Sequence, residues 1–140
     1  MFQREYTVQG TDVNDFMVMQ SDAYLKYASK IVETFLFVKG YTKLKMNTLK
    51  VGLQKQSDQL NQNKPLLFTQ KFTMLLEFKN IDYTLQKMTI LVSFYNSKNE
   101  PVASLQREFS WFDYSSWQVI TPPKVITKYF KQETILNKAS

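Results

Sequence analysis

The sequence predicts an α+β domain in which one long helix lies on an antiparallel sheet of about five strands. Three observations carry this expectation. Residues 21 to 39 place apolar side chains at a helical period. Four later segments alternate apolar and polar residues at the period of a strand, and one alternating segment precedes the helix.

The first strand is read from Phe2 to Val8, where Phe2, Arg4, Tyr6 and Val8 share one side and Gln3, Glu5, Thr7 and Gln9 the other. Gly10 to Asp15 then holds turn-forming residues. Ser21 or Asp22 is placed to cap the helix, and Gly40 stands where a left-handed residue closes one. At 100° per residue Tyr24, Leu25, Tyr27, Ala28, Ile31, Val32, Phe35 and Leu36 form one broad apolar arc, opposite Lys26, Ser29, Lys30 and Glu33. Phe37 adds a hint of a second contact surface. So wide an arc needs a large partner, and the following strands supply it.

Leu49, Val51 and Leu53 alternate with polar neighbours, and Ser57 to Pro65 reads as a polar loop. Leu66 to Phe78 alternates, Asn80-Ile81-Asp82 reads as a turn, and Leu85 to Tyr95 is a long strand. Asn96 to Asn99 is a hairpin turn signal. Val102 to Asp113 follows, with Ala103, Leu105, Phe109 and Trp111 on one face. Pro122-Pro123 ends the sheet, giving an expected domain of residues 1–123 and a polar C-terminal helix or tail over 124–140.

Composition then narrows the chemistry. The chain has no cysteine and no histidine, which removes thiolate nucleophiles, imidazole acid–base catalysis and Cys- or His-ligated metal centres. Carboxylates, hydroxyls, amides, lysines and backbone dipoles are what remain. The net charge is +6, yet only Arg4 and Arg107 are arginines and the lysines are spread out, a poor footprint for nucleic acid and a fair one for a phosphate-bearing small molecule. No apolar run reaches the length of a membrane span, and the N-terminus lacks a basic-then-apolar signal layout. The expectation is a cytoplasmic protein that binds neither membrane nor nucleic acid.

The segment Asp12-Val13-Asn14-Asp15-Phe16-Met17-Val18-Met19-Gln20-Ser21-Asp22-Ala23-Tyr24-Leu25-Lys26-Tyr27 resembles the entry motif of hotdog-fold acyl-CoA thioesterases of the 4-hydroxybenzoyl-CoA thioesterase type. In that family a strand leads into Asp-x-Asp, then Gly-(His/Val)-Val, a polar pair and a Tyr-Leu-x-Tyr helix start. The spacing matches without gaps and puts Asn14 at the second Asp, Met17 at the glycine, Val18 at the histidine, and Gln20 and Ser21 at the polar pair. Pro101 to Asp113 and Thr121-Pro122-Pro123 resemble the family's last long strand and its exit.

The resemblance implies a hotdog fold, a homodimer or homotetramer, and an acyl-CoA or acyl-carrier-protein thioester as ligand, with no cofactor beyond that thioester and no metal. It implies hydrolysis by carboxylate-assisted water attack, with helix-start amides polarising the carbonyl. The motif carboxylate is missing, so the catalytic candidates are Asp15, then Asp12, with Asn14 orienting water. Gln20, Ser21, Asp22 and Tyr24 are the candidate substrate-binding residues. The helix glutamate of a family variant falls on Ser29. The competing expectation is a hotdog domain that binds acyl thioesters, or serves assembly, without hydrolysing them.

Overall fold

The computed structural model describes residues 2–139, with the side chains of residues 2–131. Strand β1 (Phe2–Thr7) leads through a single 3-10 turn (Gly10–Asp12) into helix α1 (Ser21–Val38). A short helix α2 (Lys43–Leu49) precedes β2 (Val51–Gln62), β3 (Lys71–Asp82), β4 (Lys87–Asn96), β5 (Pro101–Asp113) and β6 (Gln118–Ile120), and helix α3 (Lys124–Ala139) ends the chain. The strands form one six-stranded antiparallel sheet in the order β1-β3-β4-β5-β2, with β6 pairing Trp111–Asp113 at the end of β5, whose other edge pairs the start of β2. The outer edges of β1 and β2 have no strand partner among the described residues.

The helix forms for the reason its pattern gives. Tyr24, Tyr27, Ala28, Ile31, Val32, Phe35 and Leu36 are all buried, with Ala23 joining them and Leu25 half-buried at the margin. They pack on the inward residues of the sheet, which recur at period two: Phe72, Met74 and Leu76 on β3, Met88, Ile90, Val92 and Phe94 on β4, Ala103, Leu105, Phe109 and Trp111 on β5. Each fully buried aliphatic side chain there stabilises the fold by about 1.5–3 kcal/mol. The seam is rich in aromatic contacts, including Phe2 edge-on to Phe35 at 5.1 Å and Tyr24 edge-on to Phe94 at 5.0 Å. Helix α3 closes one side by burying Ile126 and Phe130, the latter 4.3 Å from Phe35 between ring centroids.

Several boundaries differ from the sequence expectation, each for a physical reason. Ser57 to Gln62 is strand, not loop: it continues β2 against β5 from Ser57↔Glu108 to Gln62↔Ala103. As an edge strand it is held by backbone pairing and leaves polar residues wet, so no apolar alternation marks it. Asn80 to Asp82 ends β3, and the turn falls at residues 83–86, where the Asp82 carboxylate accepts from the Thr84 and Leu85 amides and Gln86 takes φ 53°. Leu66 to Gln70 is not strand, since Thr69 breaks it at φ 73°. Helix α2 carries no pattern in the sequence: Thr42 caps it by accepting from the Lys45 amide, but it buries no residue and so leaves no stripe to read. The cap of α1 is Gln20 rather than Ser21 or Asp22, which are its first two helical residues. Gly40 does take the left-handed conformation, at φ 92°.

Candidate functional site

The segment that carries the motif is a small hairpin ahead of α1. Val13 bridges Met19, the Asn14 amide donates to the Val18 carbonyl, and the Gln20 amide donates to the Asp12 carbonyl. Asp12 therefore lies level with Gln20 at the helix start, while Asp15, Phe16 and Met17 form the tip. Asp15 lies three positions beyond Asp12, about 10 Å at strand rise. The second leg of the hairpin is anchored on residues 66–68, through the Met19 amide to the Leu66 carbonyl and the Phe68 amide to the Met17 carbonyl.

Each candidate catalytic residue occupies a distinct setting. Asp12 is 5% exposed, and one of its oxygens, Oδ2, accepts from the Gln9 amide at 2.8 Å and the Tyr27 hydroxyl at 2.6 Å. Burial, then the hydrogen bond to and charge of Asp12, hold the Tyr27 hydroxyl well above its ordinary pKa. Asp12 thereby ties the loop to the helix. Asn14 holds the hairpin together: its Oδ1 accepts from the Phe16 and Val18 amides at 2.9 and 3.1 Å. Asp15 is exposed and has neither hydrogen bond nor ion pair among the described residues. Met17 sits at φ 65°, the left-handed backbone that the glycine of the resembled motif supplies without a side chain to accommodate.

The binding candidates divide in the same way. Gln20, Ser21 and Asp22 gather at the surface around the start of α1; Gln20 folds back onto the Val18 carbonyl, and Gln62 at the end of β2 donates to the Ser21 hydroxyl at 3.0 Å. No side chain caps the helix. The Ala23 amide turns to the Gln20 carbonyl, but the Ser21 and Asp22 amides have no acceptor among the described residues. Two N–H donors at the positive end of an eighteen-residue helix are thus left without a partner among the described residues. Tyr24 is elsewhere: it is wholly buried against Phe94. Its hydroxyl makes no hydrogen bond of ordinary geometry, and burial raises its pKa, offset in part by the Leu66 backbone.

A polar cluster between α1 and β2 escaped the sequence reading. Arg107 is 6% exposed; its Nε and Nη2 donate to the two oxygens of Asp58 at 2.8 and 3.1 Å, its Nη1 to the Ser29 hydroxyl at 2.8 Å, and Nη2 also to the Leu25 carbonyl. Lys55 adds a second cation 3.2 Å from Asp58. Burial alone would raise the Asp58 pKa, but Arg107 and Lys55 outweigh it and hold the carboxyl below its usual range. One signal was available: position 107 breaks the apolar face formed by Ala103, Leu105, Phe109 and Trp111. Beside this cluster a cavity of about 180 Å³ touches Ser29, Val32, Leu53 and Phe109, and it adjoins a larger one of about 790 Å³ under α2. Glu33 lines both cavities and pairs loosely with Lys43 at 3.7 Å.

Comparisons with known proteins agree with this architecture. A hypothetical protein from Aquifex aeolicus superimposes with a TM-score of 0.84 at 16% identity, over 93% of this chain and 99% of that one. A Staphylococcus aureus protein solved in complex with CoA gives a TM-score of 0.86 at 14% identity, covering 95% of this chain and 83% of that one. The DHNA-CoA thioesterase from Staphylococcus aureus gives 0.82 at 11% identity, over 98% of this chain and 93% of that one. At such identities the likeness establishes the fold, a hotdog sheet curled around its central helix. Among curated proteins none matches the chain. The model of the thioesterase-like superfamily matches residues 8–130, which takes in the entry hairpin, the central helix and all of β2 to β6. This chain belongs to the thioesterase-like superfamily.

Proposed function

We propose that the protein binds acyl-CoA or acyl-carrier-protein thioesters at the start of α1 and hydrolyses them by carboxylate-assisted attack of water. The observation that carries this reading is the pair of amides of Ser21 and Asp22, without a partner among the described residues, at a helix end that no side chain caps. Donors fixed in that way stabilise the oxyanion that forms when water adds to a thioester carbonyl, and losing one such donor typically costs about 10²–10³-fold in rate. The CoA bound by one structural relative and the thioester substrate named for another support the choice of ligand.

Two carboxylates are free to serve as base. Asp15 stands at the hairpin tip, away from its own helix start, an arrangement that suits a site shared between two copies. Asp22 stands in the first turn itself, exposed beside the free amides. Asp12 and Asn14 hold the hairpin in place, and in this reading they position rather than react.

The second reading is a binder that has lost its catalyst. It is favoured by Asn14, whose carboxamide oxygen is already committed to two loop amides. Hydrolysis of short, long and aromatic acyl-CoAs, run beside binding of a non-hydrolysable analogue, separates the two. Turnover that falls by about 10²–10⁴-fold in Asp15→Asn or Asp22→Asn supports the hydrolase. Binding without turnover, with activity appearing in Asn14→Asp, supports the binder. Neither binding nor turnover with any acyl group removes both.

A further inference from the structure

Between Glu33 and Asp58 the chain carries Lys39, Lys43, Lys45, Lys50 and Lys55 and no carboxylate. This stretch builds the end of α1, all of α2 and the start of β2. It also leaves large apolar side chains in solvent: Phe37, Val38 and Leu49 are exposed, and Leu44, between two of the lysines, is 76% exposed. Phe37 and Leu44 border one open groove together with Tyr114, whose ring occupies the space that a side chain at Gly52 would fill. Trp117, 73% exposed, packs edge-on against Tyr114 at 5.9 Å between ring centroids. Two carboxylates border the patch and both are engaged, Glu33 with Lys43 at 3.7 Å and Asp113 with the Ser115 amide at 2.8 Å. The ammonium groups of Lys45 and Lys39 lie over the rings of Tyr41 and Tyr129, which keeps positive charge close beside the apolar side chains.

A contiguous exposed patch of this kind marks a surface that something covers. Nucleic acid would set phosphates against leucine and phenylalanine, and the two arginines, Arg4 and Arg107, both lie elsewhere. A second copy turned about a two-fold axis would bring lysines against lysines. An anionic bilayer meets both properties at once. Its headgroups attract the lysines, its acyl boundary takes up the aliphatic side chains, and Trp and Tyr favour the level between. We propose that this end of the molecule docks on the surface of an anionic lipid bilayer. Phe37, Leu44 and Trp117 enter the headgroup region, and Lys39, Lys43, Lys45 and Lys50 face its charge. Such a contact needs no spanning segment, so it departs from the expectation of no membrane contact, which follows from the missing span alone. The start of α1 lies at the far end of the helix, about 27 Å away at helical rise, and stays open to solvent. The other exposed apolar patch, Phe16 and Met17, has the carboxylate of Asp15 beside it and suits an anionic surface less.

The test is binding of the full chain to vesicles of phosphatidylcholine, alone and mixed about three to one with phosphatidylglycerol, followed by co-sedimentation and tryptophan fluorescence. The mixed vesicles should bind the protein at least about tenfold more tightly than the neutral ones, and added salt should weaken that binding. Lys45→Gln should weaken the partition about fivefold, and Leu44→Gln, which changes an exposed side chain, about tenfold. Lys71→Gln and Lys98→Gln make the same charge change at the opposite end of the sheet and should each alter it by less than about twofold. Trp111 is wholly buried, so a spectral change reports Trp117. Its emission should shift to the blue, and lipids brominated near the headgroup should quench it. Anionic-selective binding with these losses and this quenching supports the proposal. No binding to the mixed vesicles, or equal binding to both kinds, overturns it. So does binding that Lys45→Gln weakens while Leu44→Gln and brominated lipid leave it untouched, a contact of charge alone. Binding lost in Phe16→Ser with Trp117 unquenched moves the contact to the hairpin tip and overturns it. A DNA duplex bound more tightly than the vesicles assigns the face to nucleic acid, and a dimer that Leu44→Gln dissociates without lipid assigns it to a second copy; either result overturns the proposal.

Discussion

Asp12 and Asp58 show how differently two aspartates of one chain are used. Asp12 gathers a backbone amide and a phenol on one oxygen and joins the entry hairpin to α1. Tyr27→Phe leaves that buried carboxylate short of a partner, and urea denaturation should record a loss of about 1–3 kcal/mol. Asp58 is held by Arg107 across 49 residues of sequence, both side chains less than a tenth exposed. Removing one member of such a pair strands the other, so Asp58→Asn should cost roughly 3–5 kcal/mol at neutral pH, toward the lower end because a cavity lets water approach. The pH dependence follows from the direction of the shift. A carboxyl whose folded pKa is depressed contributes stability that is complete above its unfolded value, about 3.9, and is lost as pH falls through the lower folded value. The gap between wild type and Asp58→Asn should therefore be widest at pH 5–7 and shrink below about pH 4. A gap that widens on acidification contradicts the pairing.

Among the elements, those that bury one face were legible and those that do not were hidden. The arc from Tyr24 to Leu36 announced α1 because one-sided burial imposes the helical period, and β4 announced itself by alternation through Met88, Ile90, Val92 and Phe94. The far half of β2 was invisible because an edge strand has only backbone pairing to declare it, and α2 because nothing on it is buried. The candidate site divides along the same line. Local contacts, the Asn14 loop and the helix start, follow from near-neighbour chemistry and were foreseeable. The Arg107–Asp58–Ser29 cluster joins three elements distant in sequence, and only the odd polar residue on β5 pointed to it. Ile31→Ala and Leu36→Ala should each cost about 2–5 kcal/mol, while Phe37→Ala, on the exposed side, should stay within about 0.5 kcal/mol. Equal losses at positions 31, 36 and 37 in denaturant melts would mean that α1 is docked by a different face.

At the scale of the whole molecule, surfaces remain that a second copy would cover. The outer edge of β2 offers a row of unpaired backbone groups over Val51–Gln62, and the apolar tip of the entry hairpin, with Phe16 84% exposed and Met17 52%, stands beside Leu67 and Phe68. We expect a symmetric dimer, or a dimer of dimers, whose interface exceeds roughly 1,200 Å². Sedimentation at micromolar concentration should give at least twice the chain mass, and a monomer there would remove the shared site that Asp15 requires. No helix among the described residues is long and apolar enough to cross a membrane. The central claim, that a thioester carbonyl is received at the start of α1, is tested most directly by following backbone amide resonances while a non-hydrolysable acyl-CoA thioether ketone analogue is added. The account predicts saturable shifts of the Ser21 and Asp22 amides, larger than those of Ala23, whose hydrogen is already bonded to Gln20. Binding that leaves Ser21 and Asp22 unmoved would contradict it.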